Sequence, residues 1–176
     1  MAQPLEWREG VVVLHGGRVI NGLIHHPKGF NLIFLKTDED KIVLTSGKVQ
    51  LFRYYDPDAN INRKFVSLKG SKWGFEFYEV VVNGEVSVLR ELKRYADKTH
   101  PDEIDSYDYF TCMNGTLEPM MHFRNRVFPR LLEERPLEIR AYMHKERLDP
   151  NEMKSALLII MEFNRIRQND LSARAN

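Results

Sequence analysis

The sequence predicts an α+β protein: an antiparallel β roll or small barrel with additional β hairpins to about residue 120, followed by two or three C-terminal helices. Three observations carry this. Short β-branched and aromatic runs recur at regular spacing from Gly10 to Leu92; Asn83-Gly84 and Asn114-Gly115 each sit between two such runs; and beyond residue 120 the apolar period lengthens from two residues to that of a helix.

In chain order, Val11 to Leu14 is a β-branched run, and Gly16-Gly17 reads as a two-residue turn into a second strand with Ile20, Gly22 and Ile24 on one face. Gly22 inside that strand marks a bulge or a close packing contact. Phe30 to Leu35, Lys41 to Thr45 and Val49 to Tyr55 complete five strands at the spacing of a small barrel. Asp56-Pro57-Asp58-Ala59-Asn60 then interrupts the pattern, because proline has no N–H to donate to a ladder and Asp and Asn favour local turns. A short strand over Arg63 to Leu68 follows. Phe75 to Val82 and Glu85 to Leu89 flank Asn83-Gly84, the signature of a type I′ hairpin with two positive φ angles, and Tyr107 to Met113 with Thr116 to His122 repeat it around Asn114-Gly115.

Helical spacing begins with Val127 to Glu133, with Pro129 in the first turn. Pro136 opens a second helix with Ile139, Tyr142 and Met143 on one face. Asp149-Pro150-Asn151-Glu152 reads as N-cap, N1 and N3 of a third, whose stripe is Met153, Ala156, Leu157, Ile160, Phe163 and Asn164. The organisation expected is an extension over residues 1–9, one domain over 10–168, β-rich to 120 and helical from 121, and a fraying tail over 169–176.

Composition narrows the chemistry. The 176 residues are 43% hydrophobic and 29% charged, and 26 Lys+Arg against 25 Asp+Glu leave a net charge of +1. That balance disfavours nucleic acid, whose phosphates reward a basic surplus. The lone Cys112 forms no intrachain disulfide and no multi-cysteine metal site, and it lies in an apolar run. No apolar run is long enough for a transmembrane helix. Ala2 beside the initiating Met1 suggests the first residues of a processed, exported chain.

Four stretches invite a functional reading. His15-Gly16-Gly17-Arg18 suggests an anion cradle or an oxyanion loop, but no helix pattern follows it and no Gly-x-Ser-x-Gly elbow exists, so a turn accounts for the glycines. His25 and His26, adjacent on a strand, face opposite sides and cannot both grip one metal, so exposed strand-end histidines are expected. The loop with His100, Asp102, Glu103 and Asp105 lacks the spacing of a calcium loop. Arg63, Lys64, Phe65, Lys69, Lys72 and Trp73 mix cations with aromatics, as single-strand binders do, against the near-neutral charge. No catalytic residue, metal ligand or cofactor is assigned.

Gly17-x-x-Ile20-x-Gly22-x-Ile24, Asn31 to Leu35, Val49-x-x-Phe52-x-Tyr54, Arg63 to Leu68, Phe77-x-Glu79-Val80 and Gly84-x-Val86-x-Val88-Leu89 together resemble an uncharacterised family of predicted exported proteins of Bacteroidetes bacteria. The resemblance runs from about Gly10 to about Arg165 and implies a signal peptide in the precursor, a periplasmic or envelope location and no known activity. The first five strands also resemble SH3-like and Sm-like barrels, which serve RNA binding in some families and scaffolding in others. The expectation is therefore a non-catalytic envelope or periplasmic module that binds a protein or small ligand through a sheet edge or an aromatic loop, with Trp73, Tyr54, Tyr55 and Lys72 as its binding residues. The alternatives are a cytoplasmic RNA-binding barrel and a metal-assisted hydrolase.

Overall fold

Among the described residues, alternation of apolar and polar residues resolves into ten strands: β1 Arg8–Leu14, β2 Val19–His25, β3 Leu32–Lys36, β4 Lys41–Thr45, β5 Val49–Asp56, β6 Ile61–Lys69, β7 Phe75–Val82, β8 Val86–Leu92, β9 Tyr107–Met113 and β10 Thr116–Pro119. A 3-10 turn at Met120–His122 and a π-helical turn at Phe123–Val127 lead into α1 Phe128–Glu134, followed by α2 Pro136–Glu146 and α3 Met153–Arg174. The computed structural model describes residues 6–70, 74–93 and 106–174. The strands form one open antiparallel sheet in the order β10-β9-β8-β7-β6-β5-β1-β2-β3-β4.

The α+β class and the C-terminal helices are as expected, but the β region is not closed into a barrel. Where a barrel would need a ladder, side chains tie the β3–β4 end to β6 and β7. The Ser46 hydroxyl donates to the Phe75 carbonyl at 2.6 Å, the Ser67 hydroxyl to the Ser46 carbonyl at 2.7 Å, and the Phe77 N–H to Asn31 Oδ1 at 3.0 Å. Three such bonds make a seam, not a strand pair.

Two compact units divide the chain, one over residues 1–80 and 91–107, the other over 81–90 and 108–176. In the first, Val12, Ile24, Ile33, Leu35, Leu44, Val49, Phe52, Phe65 and Phe77 form a core on the inner face of β1 to β7. Gly10 and Gly22 face each other across β1 and β2, and their strands run unusually close to neighbours. A Cβ on Gly10 would collide with the Arg53 carbonyl, and one on Gly22 would lie 2.6 Å from the Lys36 carbonyl. Because backbone cannot step aside as a side-chain tip can, Gly22→Ala is expected to cost about 2 kcal/mol, read as a lowered urea midpoint.

The turns correct two sequence expectations. Gly16-Gly17 is part of a three-residue loop, His15 to Gly17, in which the Gly17 N–H donates to the Leu14 carbonyl at 2.8 Å and Gly17 takes φ 81°. This is the bulged hairpin that a left-handed third residue permits. Asn114-Gly115 has the two positive φ angles of a type I′ turn, 51° and 77°. Neither Asn83 nor Gly84 does, and β7 and β8 are joined by three residues, Asn83 to Glu85.

The reason lies in the second unit. Its core is Val86, Val88, Met120, Phe123, Val127, Leu131, Ile139, Ala156, Ile159, Ile160 and Phe163. On α3, Asn164 Oδ1 accepts the Val86 N–H at 3.0 Å while its Nδ2 donates to the Val86 carbonyl at 2.8 Å, so the amide reads the strand as a neighbouring strand would. Gly84 packs so tightly on Asn164 that no Cβ fits there. The turn is shaped by this contact, which overrides the local Asn-Gly preference.

Helix ends differ slightly from expectation. Asp149 does not cap α3; its Oδ1 accepts the Asn151 N–H at 2.9 Å in an isolated turn, and α3 starts at Met153. At the far end α3 runs to Arg174, past residue 168 where fraying was expected, with Arg167 bidentate on Glu85 at 2.7 and 3.1 Å and Asp170 paired with Arg135.

Candidate functional site

Strand alternation decides where each candidate residue goes. In β5, Phe52, Tyr54 and Asp56 point inward while Arg53 and Tyr55 point out. Tyr54 therefore leaves the expected surface: its ring stacks in the core, 6.2 Å from Phe52 and 5.8 Å from Phe65, and burial pushes its phenol up to about 12 against the pull of Arg63. Tyr55 is exposed, and its hydroxyl donates to Asn60 Oδ1 at 2.5 Å. Trp73, Lys72 and the loop bearing His100, Asp102, Glu103 and Asp105 lie outside the described residues.

Beside Tyr54 the inner face carries a chain of charges. Arg63 donates from Nε to Asp56 at 2.6 Å and from a terminal nitrogen to Glu79 at 2.6 Å, with the three side chains 11–13% exposed. Arg8 lies 3.6 Å from Asp56 and pairs with Asp58 at 2.7 Å. Burial alone would push the Asp56 carboxyl up, but hydrogen bonding and charge from Arg63 outweigh it and hold it below the ordinary value. Burial likewise opposes the Arg63 charge, yet Asp56 and Glu79 raise its pKa. Each group already has its partner, so the cluster neutralises itself and presents no poised acid or base.

The histidines divide as expected between the two faces, but His26 is not an exposed strand end. Its ring sits edge-on to Phe52, Phe65 and Phe77 at centroid distances of 5.1, 4.8 and 5.8 Å. Burial pushes its pKa down to about 4, opposed by the Phe30 carbonyl and the charge of Glu79. His25, on the outer face, donates from Nδ1 to the Glu6 carbonyl at 3.0 Å, and His15 lies against Phe75 at 5.0 Å. Among the described residues no three His, Cys, Asp or Glu side chains converge as metal ligands. Cys112 is half-buried, and burial pushes its thiol up, away from a reactive thiolate.

The outer face of the first unit is different in kind. The registers align Val19, Val13, Leu51 and Val66 as one apolar row across β2, β1, β5 and β6, continued on β7 by Tyr78, which is buried. The neighbouring row places Asn21, Val11, Arg53 and Lys64 side by side, so two cations stand directly opposite each other on β5 and β6. Tyr55 and Asn62 form the row beyond. Next to Val11 opens a depression of about 690 Å³ lined by residues that include Glu9, Asn21, Lys36, Thr37 and Asp38.

In sequence, Arg63, Lys64, Phe65, Lys69, Lys72 and Trp73 read as one segment of mixed cations and aromatics. The fold splits it: Arg63 turns inward to its carboxylates, Lys64 turns outward beside Arg53, and only the period-two count along β6 separates them. The same count, carried from Ile20 through Gly22 and Ile24, would have placed His26 in the core. Comparison with protein-family models, with curated proteins and with solved structures finds no match to this chain.

Proposed function

We propose that this chain is a non-catalytic binding module of the cell envelope, and that it takes an acidic polypeptide on the outer face of β1, β5 and β6. The observation that supports it is the Arg53–Lys64 pair. The pair sets two positive side chains next to each other on one face, and a patch of one sign draws and orients a partner of the other. Arg53 and the phenol of Tyr55 are exposed beside an apolar row and a depression, the mixture of cation, aromatic and aliphatic surface that binds an acidic segment with apolar anchors. The envelope location rests on the resemblance to exported proteins.

Two measurements test this. With a photoreactive phenylalanine at position 55, irradiation of cells should give discrete protein adducts in the envelope fraction that disappear in R53E/K64E. No adducts, or adducts indifferent to the charge reversal, would exclude the face; a salt-dependent oligonucleotide shift abolished by the same variant would favour the RNA alternative instead. Arg53→Glu alone should weaken the adducts while leaving the urea midpoint nearly unchanged, because Arg53 is exposed. Loss of stability there would mean that the cation pair is structural.

A further inference from the structure

We propose that His26 is an acid-operated latch on the first unit, and that protonation withdraws its ring from the aromatic cage and releases the Pro27-to-Asn31 segment from β7. The segment that follows His26 is what makes the seam. Asn31 accepts the Phe77 N–H at its side chain and the Ser46 N–H, 3.0 Å away, at its backbone carbonyl, so both bonds hang on the few residues anchored by this ring. The anchor is apolar on three sides. β5, β6 and β7 present Phe52, Phe65 and Phe77 to the imidazole, and Nε2 donates to the Phe30 carbonyl at 3.3 Å.

Charge enters this cage with little to receive it. Glu79 on β7 favours the imidazolium, but its carboxylate is engaged by Arg63, which also holds Asp56, and the adjacent His25 opposes the charge. The ring is thus held neutral, with its pKa pushed down to about 4, whereas in the released segment it returns to its ordinary value near 6.5. A histidine whose folded pKa is depressed contributes its stability above the ordinary value and loses it as the pH falls towards the folded one. Between pH 6.5 and 4 protonation therefore weights the released segment over the latched one by up to roughly 150-fold. In the ladder Asp56 is held below its ordinary value by Arg63, so it protonates at lower pH than the released His26, which makes the opening local before it is global.

Amide hydrogen exchange on the full chain, corrected for the intrinsic pH dependence of exchange, reads the latch directly. From pH 7 to pH 4 the Phe77 and Ser46 amides should lose protection by about two orders of magnitude while the amides of Val12 and Phe52 stay protected. His26→Phe, or His26→Leu should phenylalanine overfill the cage, should remove that pH dependence. Loss of all four protections at one pH would show ordinary acid unfolding, and an unchanged pH dependence in both variants would show that another group drives it; either result overturns the latch.

Discussion

Replacing Arg63 by alanine lowers the unfolding free energy by about 3 kcal/mol, because it leaves Asp56 and Glu79 together on the inner face without their common cation. That figure is the lower end of what breaking a buried pair costs, since the side chains retain slight contact with water. The loss is one of imbalance and not of attraction as such. In the companion variant R63M/D56N/E79Q, which removes the charges along with their partner, most of the stability should return, and urea unfolding of the two variants side by side separates the explanations. Acid sensitivity changes sign in a defined way. The wild-type Asp56 carboxyl, held below its ordinary value by Arg63, contributes stability above that value and loses it as the pH falls through the depressed one. Without Arg63, burial dominates and the carboxyl rises, so the variant should gain relative stability on mild acidification where the wild type does not.

Asn164→Leu keeps the volume of the side chain and removes both of its bonds, leaving the N–H and carbonyl of the fully buried Val86 without their partner on α3. Each unsatisfied group costs about 1–3 kcal/mol, so a loss of about 3 kcal/mol is expected in thermal or urea unfolding. Asn164→Asp is the sharper variant. It preserves the acceptor for the Val86 N–H but turns a carboxylate oxygen towards the Val86 carbonyl. The protonated acid can donate where the carboxylate cannot, so its folded pKa rises and the variant should be more stable at pH 4 than at pH 7. A pH-independent deficit would mean that the amide fills space and does not pair with the strand.

Much of the architecture is legible in the sequence, because alternation and turn chemistry are local. β4 and β7 begin and end at the expected residues, Pro136 opens α2, and Asn164 lies on the predicted α3 stripe. What escaped the sequence is what distance along the chain conceals. Asn83-Gly84 looks the same as Asn114-Gly115 until a residue some eighty positions later packs on it. Closure of the β roll was expected from five regularly spaced strands, but nothing in a strand pattern says whether its two ends will meet as a ladder or as three side-chain bonds. The candidate site is obscured for a different reason. Tyr54 and Tyr55 look like one aromatic surface in the sequence although period two assigns them opposite faces, and the cation pair Arg53–Lys64 becomes visible only once the β5–β6 register is known.

The discontinuity of the second unit has a consequence for how the chain is made. Val86 and Val88 belong to a core whose last large member, Phe163, is translated some seventy-five residues later. At about 5–20 residues per second these valines wait roughly 4–15 s on the ribosome before α3 can cover them. During that interval the nascent hairpin is an apolar surface without its lid, so the protein's most vulnerable moment falls midway through its own synthesis, and slowing translation beyond codon 90 should increase the fraction lost to aggregates.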